Sequence, residues 1–260
     1  MLKKQKIKNN KHMKILVCIS SVPDTTSKIN FTADKSAFDK NGIQWVINPL
    51  DEFSLTKAVK LQESQGATVT VVNVGDASTE AVVRKALAIG ANDAIRVNTE
   101  AKDSFSVATE IANIAKNGGY DLILCGKESI DYNGGAVPGM VAQLLDQPFV
   151  NACVGLEVNG SEVNAVREIE GGKETISVKL PIVIAGQKGM VDEKDLIIPN
   201  MRGIMSARTK PLHIQEPVGS EVKVQGVSYD AVPARAAVKM VAADNIDELV
   251  KLLHEEAKVI

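Results

Sequence analysis

Aromatic side chains are scarce, making up 3% of the 260 residues. That scarcity excludes the stacked-ring platforms that hold single-stranded nucleic acid. Charge of one sign is lacking too: the formal net charge is -2, so no bulk field draws in nucleic acid or an anionic membrane. Cysteine is limited to Cys18, Cys125 and Cys153, an odd and widely spaced set with neither a CxxC pair nor a disulfide framework. A reducing, cytoplasmic setting is expected from that usage. His12, His213 and His254 are scattered and suggest no metal cluster. No apolar run approaches the ~20 residues a membrane span requires, so a membrane protein is not expected. No catalytic constellation of nucleophile and base stands out, and no GxGxxG fingerprint occurs, which counts against a nicotinamide-binding unit.

What is present is an ordinary globular composition, 45% hydrophobic and 24% charged. The first residues, MLKKQKIKNNKH, are basic, and the apolar run after them is too short for a signal peptide. Residues 1–12 are therefore expected to be a disordered extension, with Met13 as the functional start; a nucleic-acid arm is the alternative.

From Lys14 to about Phe149, strand and helix signals alternate. Ile15–Ile19 reads as a buried strand, followed by a polar excursion from Asp24 to Asn41 and a helix from Pro49 to about Ser64. Thr68–Val74 is a second strand. Thr79–Ile89 is a helix ended by Gly90. A short strand at Ala94–Val97, a helix from Ser104 to Lys116 and a fourth strand at Asp121–Cys125 follow. Continuous apolar strands separated by helices predict a parallel sheet covered on both faces, doubly wound by the right-handed crossover rule. Ligands bind such sheets at the carboxyl ends of strands where the winding reverses. Adjacent first and fourth strands would put that reversal between Cys18 and Cys125.

At that place the chain carries a glycine-rich loop, Asp131, Tyr132, Asn133, Gly134, Gly135, Ala136, Val137, Pro138 and Gly139, running into a helix from Gly135 to Leu145 that includes Met140, Val141 and Ala142. Free N–H groups and the dipole of a helix start favour phosphate, and glycine lets backbone approach an anion. Met140 and Val141 stand where a Walker A loop needs Lys and Ser/Thr, so ATP hydrolysis of that type is rejected. A ligand-free connector is the competing reading. Lys127 could pair with phosphate or with Asp131. Upstream, Asn48 before Pro49, Leu50 and Asp51 is a helix-start signal, Asn at the cap and Pro at the first position. Cys18 reads as a small buried apolar residue.

After Pro148 the period changes. Val150–Val158 and Ser161–Glu168 alternate around an Asn159-Gly160 turn, and Lys173–Ala185 alternates again, predicting an antiparallel extension. Gly186–Pro211 looks like an irregular surface arm. Near the end, Asp244 with Asp247 resembles a capped helix start. The stripe of Ile246, Leu249, Val250, Leu253 and Ala257 suits either this chain's own core or a partner.

Residues 165–185, AVREIEGGKETISVKLPIVIA, place Arg167, Glu170, Gly171, Gly172, Glu174, Ile176 and Pro181 at fixed offsets. This run resembles the signature of electron-transfer flavoprotein β subunits, a likeness extending from about Met13 to the C-terminus. The resemblance implies an adenine-nucleotide-binding, Rossmann-like α/β fold with the antiparallel hairpin extension. It divides the chain into an extension (1–12), a nucleotide-binding core (13–188), a partner-recognition arm (189–211) and a C-terminal segment facing an α subunit (212–260). It implies an electron carrier with no catalytic residues of its own. A structural AMP would lie against Cys18, Asn48–Asp51, Val74 and Asp131–Ala142. FAD would be held mostly by the α subunit of a heterodimer.

Acyl-CoA dehydrogenases would deliver electrons and a membrane quinone oxidoreductase would receive them. Met201 would be the apolar docking anchor of the arm, before the Ile204-Met205 motif, and Glu174 and Arg235 would meet protein partners. The loop departs from the family: Gly134–Pro138 matches neither the AMP-binding run nor the run of flavin-bifurcating members, which hold a second FAD there. An adenylate-forming or ATP-binding enzyme on a similar sheet is the rival from another class, and it lacks its pyrophosphate motif here.

Overall fold

The computed structural model describes residues 12–235 and 237–260; residues 1–11, most of the expected basic extension, lie outside the described residues. The described chain forms two compact units. The larger closes its first stretch at Ile29 and resumes as Lys40–Gly226, and the smaller joins Asn30–Asp39 to Val227–Ile260.

The larger unit begins with β1 (Lys14–Cys18), β2 (Ser21–Pro23) and β3 (Trp45–Ile47), then α1 (Pro49–Gln65) and β4 (Thr68–Val74). It continues through α2 (Glu80–Ile89), β5 (Asp93–Val97), α3 (Ser104–Gly118), β6 (Leu122–Gly126) and α4 (Val137–Leu145). Then come β7 (Phe149–Asn159), β8 (Glu162–Ile169), β9 (Gly172–Lys179), β10 (Ile182–Gly186), α5 (Met201–Ala207) and β11 (Leu212–Gln215).

Nine strands form one sheet in the order β11-β5-β4-β1-β6-β10-β7-β8-β9. Its neighbours are parallel except at β7–β8 and β8–β9. Side chains alternate across it. Ile15, Val17, Leu122 and Leu124 point into a core built with α1 and α2, and Leu16, Cys18, Ile123 and Cys125 into a second core built with α3 and α4. Both faces of each central strand are dry, which is why these strands read as unbroken apolar runs. Each fully buried Ile or Leu contributes roughly 1.5–3 kcal/mol. The doubly wound, mostly parallel sheet with a hairpin extension is the fold expected from the sequence.

The structure corrects several local expectations. The alternation over Lys173–Ala185 is not one antiparallel element. Pro181 divides it, and β10 turns back into the parallel sheet between β6 and β7. Gly186–Pro211 is not wholly an irregular arm: Met190, Val191 and Ala207 are buried in the core. The antiparallel pair β2–β3 and the edge strand β11, paired with β5, were not expected.

In the smaller unit, Phe31 stacks on Tyr229 with ring centroids 5.5 Å apart, and Lys35 pairs with Asp230 at 2.5 Å. Its helix α6 (Ile246–Lys251) is capped by Asn245, whose side chain accepts the Glu248 N–H, not by Asp244. Ile246, Leu249 and Val250 are exposed rather than buried in this chain's core.

Candidate functional site at the winding reversal

The chain winds from β1 through β4 to β5 on one side and returns with β6 on the other. Cys18 ends β1 and Gly126 ends β6, parallel neighbours that run in register from Ile15 opposite Leu122. The reversal therefore falls at their carboxyl ends, and the start of α1 closes it. Asp51, third residue of α1, is 4% exposed and accepts the Ser20 N–H and the Gly126 N–H, each at 2.8 Å. Burial pushes its carboxyl up to about 7, against the pull of the Ser20 N–H, the Asn48 side chain and the Gly126 N–H. A Cβ on Gly126 would overlap the Asp51 carboxylate and lie 3.0 Å from Asn48 Nδ2, so only glycine permits this closure.

Asn48 is the N-cap of α1 by its backbone: its carbonyl accepts the Asp51 N–H at 2.9 Å, while its side chain makes no cap bond. The side chain reaches the glycine-rich loop instead. Its Nδ2 donates to the Glu128 carbonyl at 2.9 Å and its Oδ1 accepts the Ile130 N–H at 3.3 Å. This long-range latch fixes the loop against the start of α1. Ser129 and Gly134 exchange backbone hydrogen bonds at 3.0 and 3.2 Å and close the loop on itself. Asp131 accepts the Ser129 hydroxyl at 2.5 Å and the Tyr132 N–H at 2.8 Å. Asn133 takes a left-handed φ of 51°.

The loop delivers the chain to α4, whose first turn contains Pro138 and whose N-cap residue Ala136 supplies no side-chain bond. Gly135, Ala136 and the first turn of α4 follow this closure directly, and the N–H groups of a helix start lack intrahelical acceptors and favour an anion. Leu50 and Lys127 line an open basin of about 440 Å³ beside the loop, together with Glu128, Glu168, Gln187 and Lys188. The basin thus carries two lysines, two carboxylates and one apolar side chain, Leu50.

Of the residues singled out in the sequence, Cys18, Asn48, Pro49, Leu50 and Asp51 lie at this reversal and Asp131–Gly135 belongs to the loop latched to it, whereas Val137 packs against the second core, Pro138 is buried and Gly139 lies beside Phe149 at the start of β7. Val74 lies at the carboxyl end of β4 beside β1. Met140 packs against the second core, and Val141 and Ala142 are buried in it, so their side chains serve packing. A thiol–thiol hydrogen bond with Cys125, reinforced by burial, pushes the Cys18 thiol well above its ordinary value. Such a thiol is inert. Met201 starts the distant helix α5 and is exposed. Glu174 sits on β9 and receives Arg167 Nε at 2.7 Å. Arg235 is exposed in the smaller unit.

Sequence reasoning missed Ser54, whose buried hydroxyl donates to the Cys125 carbonyl at 2.7 Å. It also missed Asn73, which donates to the Ile19 carbonyl at 3.0 Å and accepts the Thr79 hydroxyl at 2.8 Å. An asparagine inside the otherwise apolar Thr68–Val74 strand was the available signal.

A doubly wound, mostly parallel sheet flanked by helices defines an α/β protein of the class that binds ligands where the winding reverses. The family model for the electron transfer flavoprotein domain matches residues 36–217. The chain is 34% identical over 262 residues to the electron transfer flavoprotein subunit beta of Bacillus subtilis, covering 95% of this chain and 100% of the relative. It is 34% identical over 228 residues to the protein of that name from Syntrophomonas wolfei, covering 87% and 88%, and 28% identical over 257 residues to that of Homo sapiens, covering 95% and 99%. The chain belongs to the electron transfer flavoprotein β-subunit family. Among the described residues, no helix is long and apolar enough to cross a membrane.

Proposed function

We propose that this chain is the β half of a heterodimeric electron carrier, paired with an α subunit that holds most of the redox FAD. The glycine-rich loop and the start of α4 hold AMP as a structural ligand. The observation that carries this reading is the latch of Asn48 and Asp51, which fixes a cradle of backbone donors at the winding reversal. Asn48 and Asp51 orient the loop rather than react, and the Gly135–Ala136 backbone with the first turn of α4 receives the phosphate.

Electrons enter from acyl-CoA dehydrogenases and leave to a quinone oxidoreductase at the membrane. Met201 is the docking anchor for the first exchange, and a flexible thioether on an exposed helix suits brief, adaptable contact. Glu174, Arg235 and the exposed residues of α6 face protein partners, the α subunit foremost.

The test is co-purification with the α partner followed by nucleotide extraction. One AMP and one FAD per heterodimer are expected. Two FAD with no AMP would indicate a flavin-bifurcating subunit, and recovery of neither nucleotide would overturn the reading.

A further inference from the structure

Strands β1 and β4 run parallel, with Lys14 opposite Thr68 and Cys18 opposite Val72. Their backbone bonds begin with the Thr68 N–H on the Met13 carbonyl at 2.9 Å and reach the Ile19 N–H on the Val72 carbonyl at 3.0 Å. A parallel ladder would continue with the Val74 N–H on the Ile19 carbonyl. Among the described residues that bond is absent. The Ile19 carbonyl accepts Nδ2 of Asn73 at 3.0 Å instead. Asn73 is 2% exposed, and its Oδ1 is fixed by accepting the Thr79 hydroxyl at 2.8 Å. The turn beyond closes around it: a Cβ on Gly75 would lie 2.8 Å from Asn73 Oδ1 and 2.5 Å from Thr79 Cγ2. For the sheet alone, a valine at this position and one more ladder bond would serve as well. On the other side of β4, the Gly75 N–H donates to the Val97 carbonyl at 3.1 Å. Val74, next to it, therefore turns its N–H and C=O away from β5, into the gap beyond the end of β1 where the winding reverses.

We infer that Asn73 is a positioning residue that sets base specificity at the nucleotide site: by holding the Ile19 carbonyl it reserves the N–H and C=O of Val74 for the Watson–Crick edge of a 6-aminopurine. This rests on the AMP proposed for the site and adds how its purine is told from others. Adenine offers an acceptor, N1, beside a donor, its 6-amino group, and these meet the Val74 N–H and C=O in order. Hypoxanthine and guanine offer the reverse, an N1–H beside an O6. Donor would then face donor and acceptor face acceptor. Polar groups left unpaired in this way discriminate strongly between ligands of nearly the same shape.

The experiment uses the reconstituted heterodimer, stripped of nucleotide, and measures AMP and IMP binding by calorimetry for the unaltered chain and for Asn73→Leu. The unaltered heterodimer should bind AMP about a hundredfold more tightly than IMP, since two polar groups are mismatched. It should bind 1-deaza-AMP, which carries C–H in place of N1, about tenfold more weakly than AMP. Asn73→Leu frees the Ile19 carbonyl for the Val74 N–H. AMP should then bind about tenfold more weakly with IMP little changed, so the preference collapses while FAD content stays at wild-type level. A merely structural role would weaken both nucleotides alike; a preserved AMP-to-IMP ratio therefore overturns the inference. If the unaltered heterodimer binds neither nucleotide, the AMP reading itself fails. If it binds AMP and IMP equally, AMP stands and the base specificity is overturned. Should Asn73→Leu not assemble, Asn73→Ala, which removes the amide and adds no atom, decides by the same ratio.

Discussion

The carboxylate of Asp51 accepts the backbone N–H of Gly126 at 2.8 Å, joining the start of α1 to the exit of β6 across 75 residues of sequence. Its other oxygen takes the Ser20 N–H, so a single side chain fastens the ends of both strands that flank the winding reversal.

Asp51→Asn turns one of these acceptors into an amide that faces an N–H donor. Loss of about 1–3 kcal/mol is expected, together with reduced nucleotide retention. The pH dependence has a definite sign. The folded carboxyl titrates at about 7, above the ~3.9 of an unfolded aspartate. Its contribution is therefore complete below pH ~4 and is lost as pH rises through about 7. Denaturant titrations across that range should show the wild-type chain losing its lead over Asp51→Asn as pH increases.

Asn48→Ala releases the Glu128 carbonyl and the Ile130 N–H while leaving the cap of α1 intact, because that cap is made by backbone. Faster hydrogen exchange at residues 128–134 and loss of bound nucleotide are expected, with a fall in global stability of about 1–2 kcal/mol. Unchanged nucleotide content in the purified heterodimer would refute the latch.

Gly126→Ala forces a methyl into the Asp51 carboxylate and the Asn48 amide. Overpacking of this kind costs about 1–3 kcal/mol. Here it should also open the loop, giving the nucleotide loss of Asn48→Ala together with a larger drop in melting temperature. Calorimetry paired with nucleotide extraction separates the two effects.

Asp103 and Glu110 strap the segment after β11 onto α3. Glu110 accepts the Val218 and Gly219 N–H groups, and Asp103 accepts those of Lys223 and Val224 at 2.7 and 3.0 Å. Desolvation raises the Asp103 carboxyl, but the Ser106, Lys223 and Val224 donors outweigh it and hold the group at about 2. A depressed folded pKa stabilises above pH ~4 and is lost as pH falls towards 2. Asp103→Ala should therefore expose the strap at neutral pH, read as faster tryptic cleavage after Lys223 with the sheet still folded.

The sequence carried the parallel half of the fold well. Thr68–Val74 was legible to the residue because it is apolar on both faces and bracketed by Gly66 and Gly75. Strands β2 and β3 were not, since each is too short to establish a period. β10 was missed although Ile182–Ala185 is an unbroken apolar run, because that run is short and follows β9 directly across Pro181, and only its pairing with β6 and β7 separates the two. The cap of α6 passed to Asn245 from a neighbouring Asp244 of similar propensity. At the site, glycine spacing marked the loop and the likeness to a known family marked Asn48 and Asp51. What these two side chains grip could not be read, because hydrogen bonds spanning 75 to 82 residues leave no periodic trace.

The insertion of β10 between β6 and β7 has a consequence for how the chain is made. During synthesis β6 emerges with one flank paired to β1 and the other bare, and it stays so until Ile182–Gly186 has left the ribosome. The Lys127 N–H, which opens the loop, finds its acceptor on Gly186 only then. A nascent chain arrested within the hairpin would display an open sheet border beside an unfinished cradle, a state in which strand-pairing errors are easiest. The last segment to join the sheet's centre is thus the one that anchors the start of the glycine-rich loop.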